Sequence, residues 1–253
     1  MGMSTATSNA LPRIALVTGA AGTMGRAAAR GLIEDGHRVV LADINLDAVS
    51  SVAVELGNNS FPIAFDISDY GACSAAIKTI AAEVGEVAVL VNNAGILSNN
   101  KVADTTPDEW HRVMTVNLDG AFYLTRLCLP AMRASKWGRI INTCSFAAKS
   151  GGITAGTAYS VSKAAMIGLT FSIAAETLKD GITVNGIAPA YVRTPMVEQE
   201  LSDEQRAAVL SKIPVGRYCE PEEFAHVVKF LASPLAGFIT GEIIDQNGGL
   251  QFD

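Results

Sequence analysis

Residues 14–25, Ile14-Ala-Leu-Val-Thr-Gly-Ala-Ala-Gly-Thr-Met-Gly25, form a short apolar run that leads into a glycine-rich turn. The apolar run predicts a buried strand, and the residues from Arg26 to Glu34 predict a helix behind the turn. Free backbone N–H groups and the positive end of the helix dipole would then meet at one point, which suits a pyrophosphate. A tight turn without a ligand has the same local pattern, so the turn alone leaves both interpretations open.

The acid at the end of the second predicted strand, Asp43, stands where a dinucleotide-binding fold places a carboxylate on the adenosine ribose. Such a carboxylate accepts hydrogen bonds from the ribose hydroxyls and repels a 2′-phosphate. The next residue is Ile44 and not Arg, so the pattern favours NAD over NADP. A solvated acid at a strand end is the alternative. The turn residues that would contact the cofactor are Gly19, Gly22, Thr23, Met24 and Gly25.

Beyond the turn, apolar runs alternate with helical patterns along the rest of the chain. Strands that are apolar throughout, with helices between them, predict a parallel sheet covered on both faces. Right-handed crossovers then give a doubly wound, Rossmann-like α/β fold. Because no linker or repeat divides the pattern, we expect one domain over 13–253, a flexible tail over 1–12 and a substrate lid around 194–214. The predicted strands are 14–18, 38–43, 61–66, 87–92, 139–143, 183–188 and 242–244.

The composition excludes several classes of protein. The chain has 253 residues, 49% hydrophobic and 17% charged, with a formal net charge of −6. This apolar fraction argues against intrinsic disorder, and the acid excess argues against nucleic acid as a partner. The four cysteines include no Cys-x-x-Cys pair, which predicts reduced thiols in the cytoplasm. The sequence contains no cluster of His, Cys and carboxylate residues, so we expect no metal site. Since no stretch approaches 18 uninterrupted apolar residues, we expect no membrane span.

The pair Tyr159 and Lys163 lies four residues apart in a predicted helix, so both side chains share one helix face. A nearby cation stabilises a phenolate and lowers its pKa, which lets a tyrosine exchange a proton with a carbonyl or alcohol oxygen. Alone, this motif is weak and depends on its context.

The context is the order of three motifs along the chain. The turn at 18–25, Asn92-Asn-Ala-Gly95 after the fourth strand, and the Tyr159 and Lys163 pair follow one another in this order. In this respect the chain resembles the short-chain dehydrogenase/reductase family in its single-domain form. The resemblance runs from residue 14 to residue 250, nearly the whole sequence, and implies a nicotinamide-dependent oxidoreductase.

The resemblance also implies roles for individual residues. Tyr159 would be the acid/base, and Lys163 would bind the nicotinamide ribose and lower the pKa of Tyr159. Ser145 would hydrogen-bond the substrate oxygen, and Asn117 would hold a water that continues a proton relay. Thr194 would bind the carboxamide of the nicotinamide. The other residues that the resemblance assigns to the cofactor are Asp66, Ile67, Asn93, Ala94, Gly95, Pro189 and Val192.

Three positions depart from the family pattern. Thr23 stands at the usual second glycine of the turn, and Ala190 follows Pro189 where glycine is usual. The segment from Ser145 to Tyr159 is one residue longer than the commonest spacing, which predicts an insertion within 149–156.

The expected substrate is a hydrophobic or mid-sized ketone or secondary alcohol, because the candidate pocket residues are mostly apolar. We therefore expect an NAD-dependent secondary-alcohol dehydrogenase. The alternative is a 3-oxoacyl-(acyl-carrier-protein) reductase using NADPH, although an Arg that often serves carrier docking in that group is replaced by Asp180. A non-catalytic dinucleotide sensor is less expected, and the family implies a homotetramer. The candidate pocket residues are Ile96, Leu97, Phe146, Ala147, Ile153, Tyr191 and Met196.

Overall fold

The computed structural model describes residues 12–153, 155–194 and 203–252. Seven strands form one parallel sheet in the order β3-β2-β1-β4-β5-β6-β7, which confirms the predicted doubly wound α/β architecture. The strands are β1 (Ile14–Thr18), β2 (Arg38–Asp43), β3 (Ser60–Ala64), β4 (Val87–Asn92), β5 (Gly138–Thr143), β6 (Ile182–Pro189) and β7 (Ile243–Gln246).

Helices cover both faces of this sheet. On one face α1, α2 and α9 pack against the strands in a cluster that includes Leu32, Val49 and Phe224. On the other face α3, α5 and α7 contribute Ile80 and Leu124 to a second cluster. The helices are α1 (Thr23–Glu34), α2 (Leu46–Leu56), α3 (Tyr70–Glu83), α4 (Pro107–Met114), α5 (Gly120–Ser135), α6 (Phe146–Ser150), α7 (Thr157–Thr177), α8 (Asp203–Leu210) and α9 (Pro221–Ala232).

The helical stretch that begins after Thr106 is not one continuous α-helix. Thr106 does cap α4, since its hydroxyl accepts a hydrogen bond from the Glu109 N–H at 3.2 Å. However, a π-helical segment, Thr115–Asp119, separates α4 from α5. A π-helical turn holds one residue more than an α-helical turn and often marks a functional site. This segment carries Asn117.

The predicted tail and lid fall partly outside the described residues. Residues 1–11 and 195–202 are not described, so the expected flexible tail and the first part of the expected lid stay predictions. Within the described ranges, one helix, α7, is long and apolar enough to cross a membrane by length and composition. That helix packs against β6 and carries Tyr159 and Lys163, as a core helix of this fold does.

Candidate active site

A cleft of about 770 Å³ opens at the carboxyl ends of the strands, where β1 lies between β2 and β4. This is the point at which the strand order reverses, and open parallel sheets bind ligands there. Most of the predicted site residues line it: Gly19, Gly22, Thr23, Met24, Gly25, Asp43, Asn93, Ala94, Gly95, Ile96, Leu97, Ser145, Phe146, Ala147, Tyr159, Lys163, Pro189, Tyr191, Val192 and Thr194. The lining residues that sequence reasoning missed are Asn99, Thr143, Cys144, Ser150, Ala155, Ala190, Val209 and Tyr218.

Five of the predicted residues, Asn117 among them, are not among the described residues that line the cleft. The Asp66 carboxylate accepts hydrogen bonds from the N–H and the hydroxyl of Ser68. Ile67 packs against Gly120. Neither residue is among the described residues that line the cleft. Ile153 was expected in the substrate pocket, but it is 71% exposed because the loop there turns its side chain into solvent. Met196 lies outside the described residues.

The glycine-rich turn needs its glycines for packing as well as for access. Gly19 has φ of +64°, and a methyl group there would lie 2.9 Å from the Cα of Ala94. Gly22 precedes α1 and provides no side-chain cap, which leaves the first N–H groups of the helix for a ligand. An anion at this end would be favoured by the helix dipole. The glycine-rich turn and the N-terminus of α1 therefore fit a pyrophosphate.

Substituting Gly25 by Ala is expected to disrupt this turn. The added methyl group would lie 2.2 Å from the Gly19 carbonyl oxygen and 2.9 Å from the Ala20 Cα, so backbone has to move. We expect the affinity for NADH to fall at least about tenfold and the free energy of unfolding to fall by about 1–3 kcal/mol. Fluorescence titration and denaturant unfolding measure both, with Gly168→Ala, where the added methyl meets open space, as the control. Unchanged NADH affinity in Gly25→Ala would contradict the role of this turn in binding the dinucleotide.

The Asp43 carboxylate is held at the end of the cleft that contains the glycine-rich turn. One of its oxygens accepts a hydrogen bond from the Ala21 N–H and the other from the Asn45 N–H, both at 3.2 Å. Lys163, at the other end, is the only basic side chain among the described residues that line the cleft. The charge at the Asp43 end of the cleft is therefore negative, which would disfavour a phosphate group beside Asp43.

Ser145, Tyr159 and Lys163 converge at the other end of the cleft. Ser145 caps α6, where its Oγ accepts a hydrogen bond from the Ala147 N–H at 3.1 Å. Tyr159 lies in the first turn of α7, and Lys163 lies one turn later, so both face the cleft from one helix. The Lys163 Nζ donates a hydrogen bond to the Thr143 carbonyl at 2.7 Å and lies 5.9 Å from the centre of the Tyr159 ring.

Burial shifts the pKa values of both Tyr159 and Lys163 in this arrangement. Burial raises the pKa of Tyr159, and a hydrogen bond with Ser145 opposes that rise only in part. Burial also lowers the pKa of Lys163 to about 8. Desolvation disfavours the charged form of both groups. Tyr159 is therefore a neutral phenol at neutral pH, the form that donates a proton.

The depressed pKa of Lys163 has a consequence for stability. An unfolded lysine keeps its proton up to about pH 10.4, so between pH 8 and 10 the unfolded chain binds more protons here than the folded chain. The contribution of Lys163 to the free energy of unfolding therefore rises with pH in this window. In Lys163→Met we expect a slope against pH that is lower by up to about 1.4 kcal/mol per unit than in wild type. Denaturant unfolding at several pH values measures it, with the exposed Lys179→Met as control; identical slopes in all three proteins would contradict the burial effect.

Asn117 joins the β4 end of the site to α7. Its Oδ1 accepts a hydrogen bond from the Ile96 N–H at 2.8 Å, and its Nδ2 donates to the Ile96 carbonyl and the Ser162 hydroxyl, both at 3.0 Å. A methyl group on Gly95 would come within 3.5 Å of both Asn117 Oδ1 and the Lys163 Nζ. Asn117 of the π-helical segment and Lys163 therefore both lie next to Gly95.

Comparison with known proteins agrees with this geometry. A family model described as enoyl-(acyl carrier protein) reductase matches residues 19–251. The 3-oxoacyl-(acyl-carrier-protein) reductase of Vibrio harveyi is 40% identical over 239 residues, which cover 94% of this chain and 97% of that protein. The acetoacetyl-CoA reductase of Shinella zoogloeoides is 39% identical over 243 residues, which cover 96% and 100%. These relatives favour the ketoacyl reductase alternative over a general alcohol dehydrogenase, and the chain belongs to the short-chain dehydrogenase/reductase family of oxidoreductases.

Proposed function

We propose that this protein interconverts 3-oxoacyl and 3-hydroxyacyl thioesters with NAD(H) as the cofactor. The observation that carries the proposal is one cleft with the Asp43 carboxylate at one end and Ser145, Tyr159 and Lys163 at the other. The names of the relatives, which act on 3-oxoacyl carrier thioesters and on acetoacetyl-CoA, support the substrate class.

The residues of the cleft fit a nicotinamide dinucleotide. The glycine-rich turn and the N-terminus of α1 would bind the pyrophosphate, and Asp43 would accept hydrogen bonds from the adenosine ribose. Lys163, which donates a hydrogen bond to the Thr143 carbonyl in this structure, would instead donate to the ribose of the nicotinamide. Bound there, the nicotinamide would supply or accept the hydride. The residues that would border that end are Asn93, Ala94, Gly95, Pro189, Val192 and Thr194.

The protein's own part in the reaction is proton transfer and orientation. The Ser145 hydroxyl would donate a hydrogen bond to the substrate carbonyl oxygen, and Tyr159 would give that oxygen its proton as the carbonyl carbon is reduced. In the reverse direction the Tyr159 phenolate would take the proton from the alcohol and become the neutral phenol. The Lys163 ammonium would stabilise the phenolate that remains, and Asn117 would hold a water of the relay that restores the proton. Holding these groups in one cleft removes much of the entropic barrier.

The surface charges favour a small thioester over a carrier-bound one. Asp180 replaces the Arg that the family resemblance links to carrier docking. Its carboxylate pairs with Arg133 at 2.9 Å and with Lys136 at 3.6 Å, so the two cations there are already neutralised. An acidic carrier would find little free positive charge at this place. We therefore propose a coenzyme A thioester, or another small thioester, as the substrate.

The test is a comparison of substrates and cofactors with the purified protein. NADH and NADPH are each supplied with acetoacetyl-CoA, with the acetoacetyl carrier protein and with simple ketones, and oxidation is followed at the nicotinamide absorbance. We expect the highest kcat/KM with NADH and acetoacetyl-CoA. Turnover confined to simple ketones would favour the secondary-alcohol dehydrogenase instead. NADH binding without turnover of any substrate would favour the dinucleotide sensor.

We also propose a cytoplasmic homotetramer, as the family resemblance implies. Large apolar side chains are exposed on the long helices, Phe122 on α5 and Phe171 on α7, and near the C-terminus, Phe230 and Phe238. A second copy of the chain would cover such surfaces. Light scattering coupled to size-exclusion chromatography distinguishes a tetramer from a dimer or monomer.

A further inference from the structure

The loop between Ser145 and Tyr159 runs along the wall of the cleft. Ser150 and Ala155 of this loop line the cleft. Gly151 and Gly152 both have positive φ, 70° and 71°, and a methyl group on Gly152 would lie 2.1 Å from the Ser160 Oγ. The loop is therefore tightly fitted against α7, although it has no regular secondary structure between α6 and α7 in its described residues.

Lys101 holds this loop from the opposite wall of the cleft. Its Nζ donates hydrogen bonds to the carbonyl oxygens of Gly152 and Ala155, both at 2.6 Å. Two backbone bonds run beside it, from the Gly156 N–H to the Ser98 carbonyl and from the Thr157 N–H to the Asn100 carbonyl. Bonds from an ammonium are stronger than those between neutral groups, so the two Lys101 bonds are strong links between the two walls.

The segment that carries Lys101 is itself anchored. Glu109 of α4 accepts hydrogen bonds from the Ser98 hydroxyl and, at 2.8 Å, from the Asn100 Nδ2. These bonds lower the pKa of Glu109, so the carboxylate stays charged at neutral pH. The segment that carries Lys101 is therefore held against α4 by these hydrogen bonds.

The start of the same loop is held from a different direction. The Lys149 Nζ lies 2.7 Å from Asp245 Oδ2 on β7, and both side chains are mostly buried. The loop is thus tied near its beginning to the last strand and near its end to Lys101.

We propose that Lys101 is a positioning residue that sets the substrate-facing wall between Ser145 and Tyr159. It would act through the Gly152 and Ala155 carbonyls and would touch neither the substrate nor the cofactor. Without it, the 150–156 loop could move away from the cleft and change the distance between the Ser145 and Tyr159 hydroxyls. The inference rests on the proposed function, since it concerns the same site.

The experiment compares Lys101→Met, Lys101→Arg and the exposed Lys179→Met with wild type. Steady-state kinetics use the best substrate of the panel above, and NADH affinity is measured separately by fluorescence. In Lys101→Met we expect kcat/KM for that substrate to fall at least about tenfold, because small misplacements in a site are costly, with NADH affinity within twofold of wild type. Lys101→Arg, which can still donate to both carbonyls, is expected to recover most of the loss, and Lys179→Met is expected to match wild type.

Three outcomes would overturn the inference. The first is a kcat/KM of Lys101→Met equal to that of wild type, and the second is a loss in Lys101→Arg equal to the loss in Lys101→Met. The third is a parallel loss of NADH affinity in Lys101→Met, which indicates a general structural role. Failure of the proposed function has a different signature. If wild type reduces simple ketones and no thioester, the thioester proposal fails. The ratio between Lys101→Met and wild type on that ketone still tests the role of Lys101.

Discussion

Replacing Tyr159 with Phe is expected to lower kcat for carbonyl reduction by about 10²–10⁴-fold, the usual contribution of a positioned acid or base. The substitution removes one oxygen from a half-buried side chain and leaves the ring that packs in the cleft. Because the neutral phenol is the proton donor in this mechanism, its loss leaves the forming alkoxide without a proton source. NADH affinity is expected to change by less than about threefold. Steady-state rates and fluorescence titration measure the two quantities.

The matched control is Tyr123→Phe, which removes a phenol oxygen on α5, where Tyr123 packs edge-on against Tyr70. That variant is expected to retain wild-type kcat. If Tyr159→Phe keeps turnover within a few-fold of wild type, Tyr159 is not the acid/base and the mechanism is wrong.

The double substitution Asp43→Asn and Ile44→Arg is expected to reverse the choice of cofactor. The amide no longer repels a 2′-phosphate, and the guanidinium offers it charge-assisted hydrogen bonds. Bonds to charged groups contribute about 1.5–3 kcal/mol, so the two changes together are expected to shift the ratio of kcat/KM for NADPH to that for NADH by about 10²-fold or more. Kinetics with each cofactor at a fixed substrate concentration measure that ratio.

Asp47→Asn controls for the loss of a negative charge, because Asp47 lies in the first turn of α2 and not in the described lining of the cleft. Its cofactor ratio is expected to match wild type. A wild-type enzyme that already prefers NADPH, or a double variant with an unchanged ratio, would contradict the role of Asp43.

The sequence predicted the sheet and most of the cleft because both depend on local patterns. Apolar strands such as Val87–Asn92 are buried on both faces, so they read as continuous apolar runs. The carboxyl ends of β1, β4 and β5 meet at one edge, which brings Gly19, Asn93 and Ser145 together without any knowledge of side-chain contacts.

Features that depend on long-range contacts could not be predicted in the same way. The π-helical segment around Asn117 has no distinct periodicity over five residues, and the Lys101 bonds to the Gly152 and Ala155 carbonyls join segments about 50 residues apart. The burial that raises the pKa of Tyr159 could not be predicted either, because helix spacing gives the neighbour Lys163 but not the surroundings of the phenol.

The central claim is that hydride passes between a nicotinamide in this cleft and the 3-oxo carbon of a thioester. The most direct measurement uses NADH that carries deuterium at both C4 positions of the nicotinamide, with acetoacetyl-CoA as the substrate and mass spectrometry of the product. We expect a 3-hydroxyacyl thioester that has gained one deuterium at the carbon bearing the new hydroxyl, formed by wild type and far more slowly by Tyr159→Phe. A product without deuterium, or no reduced thioester at all, would contradict the claim.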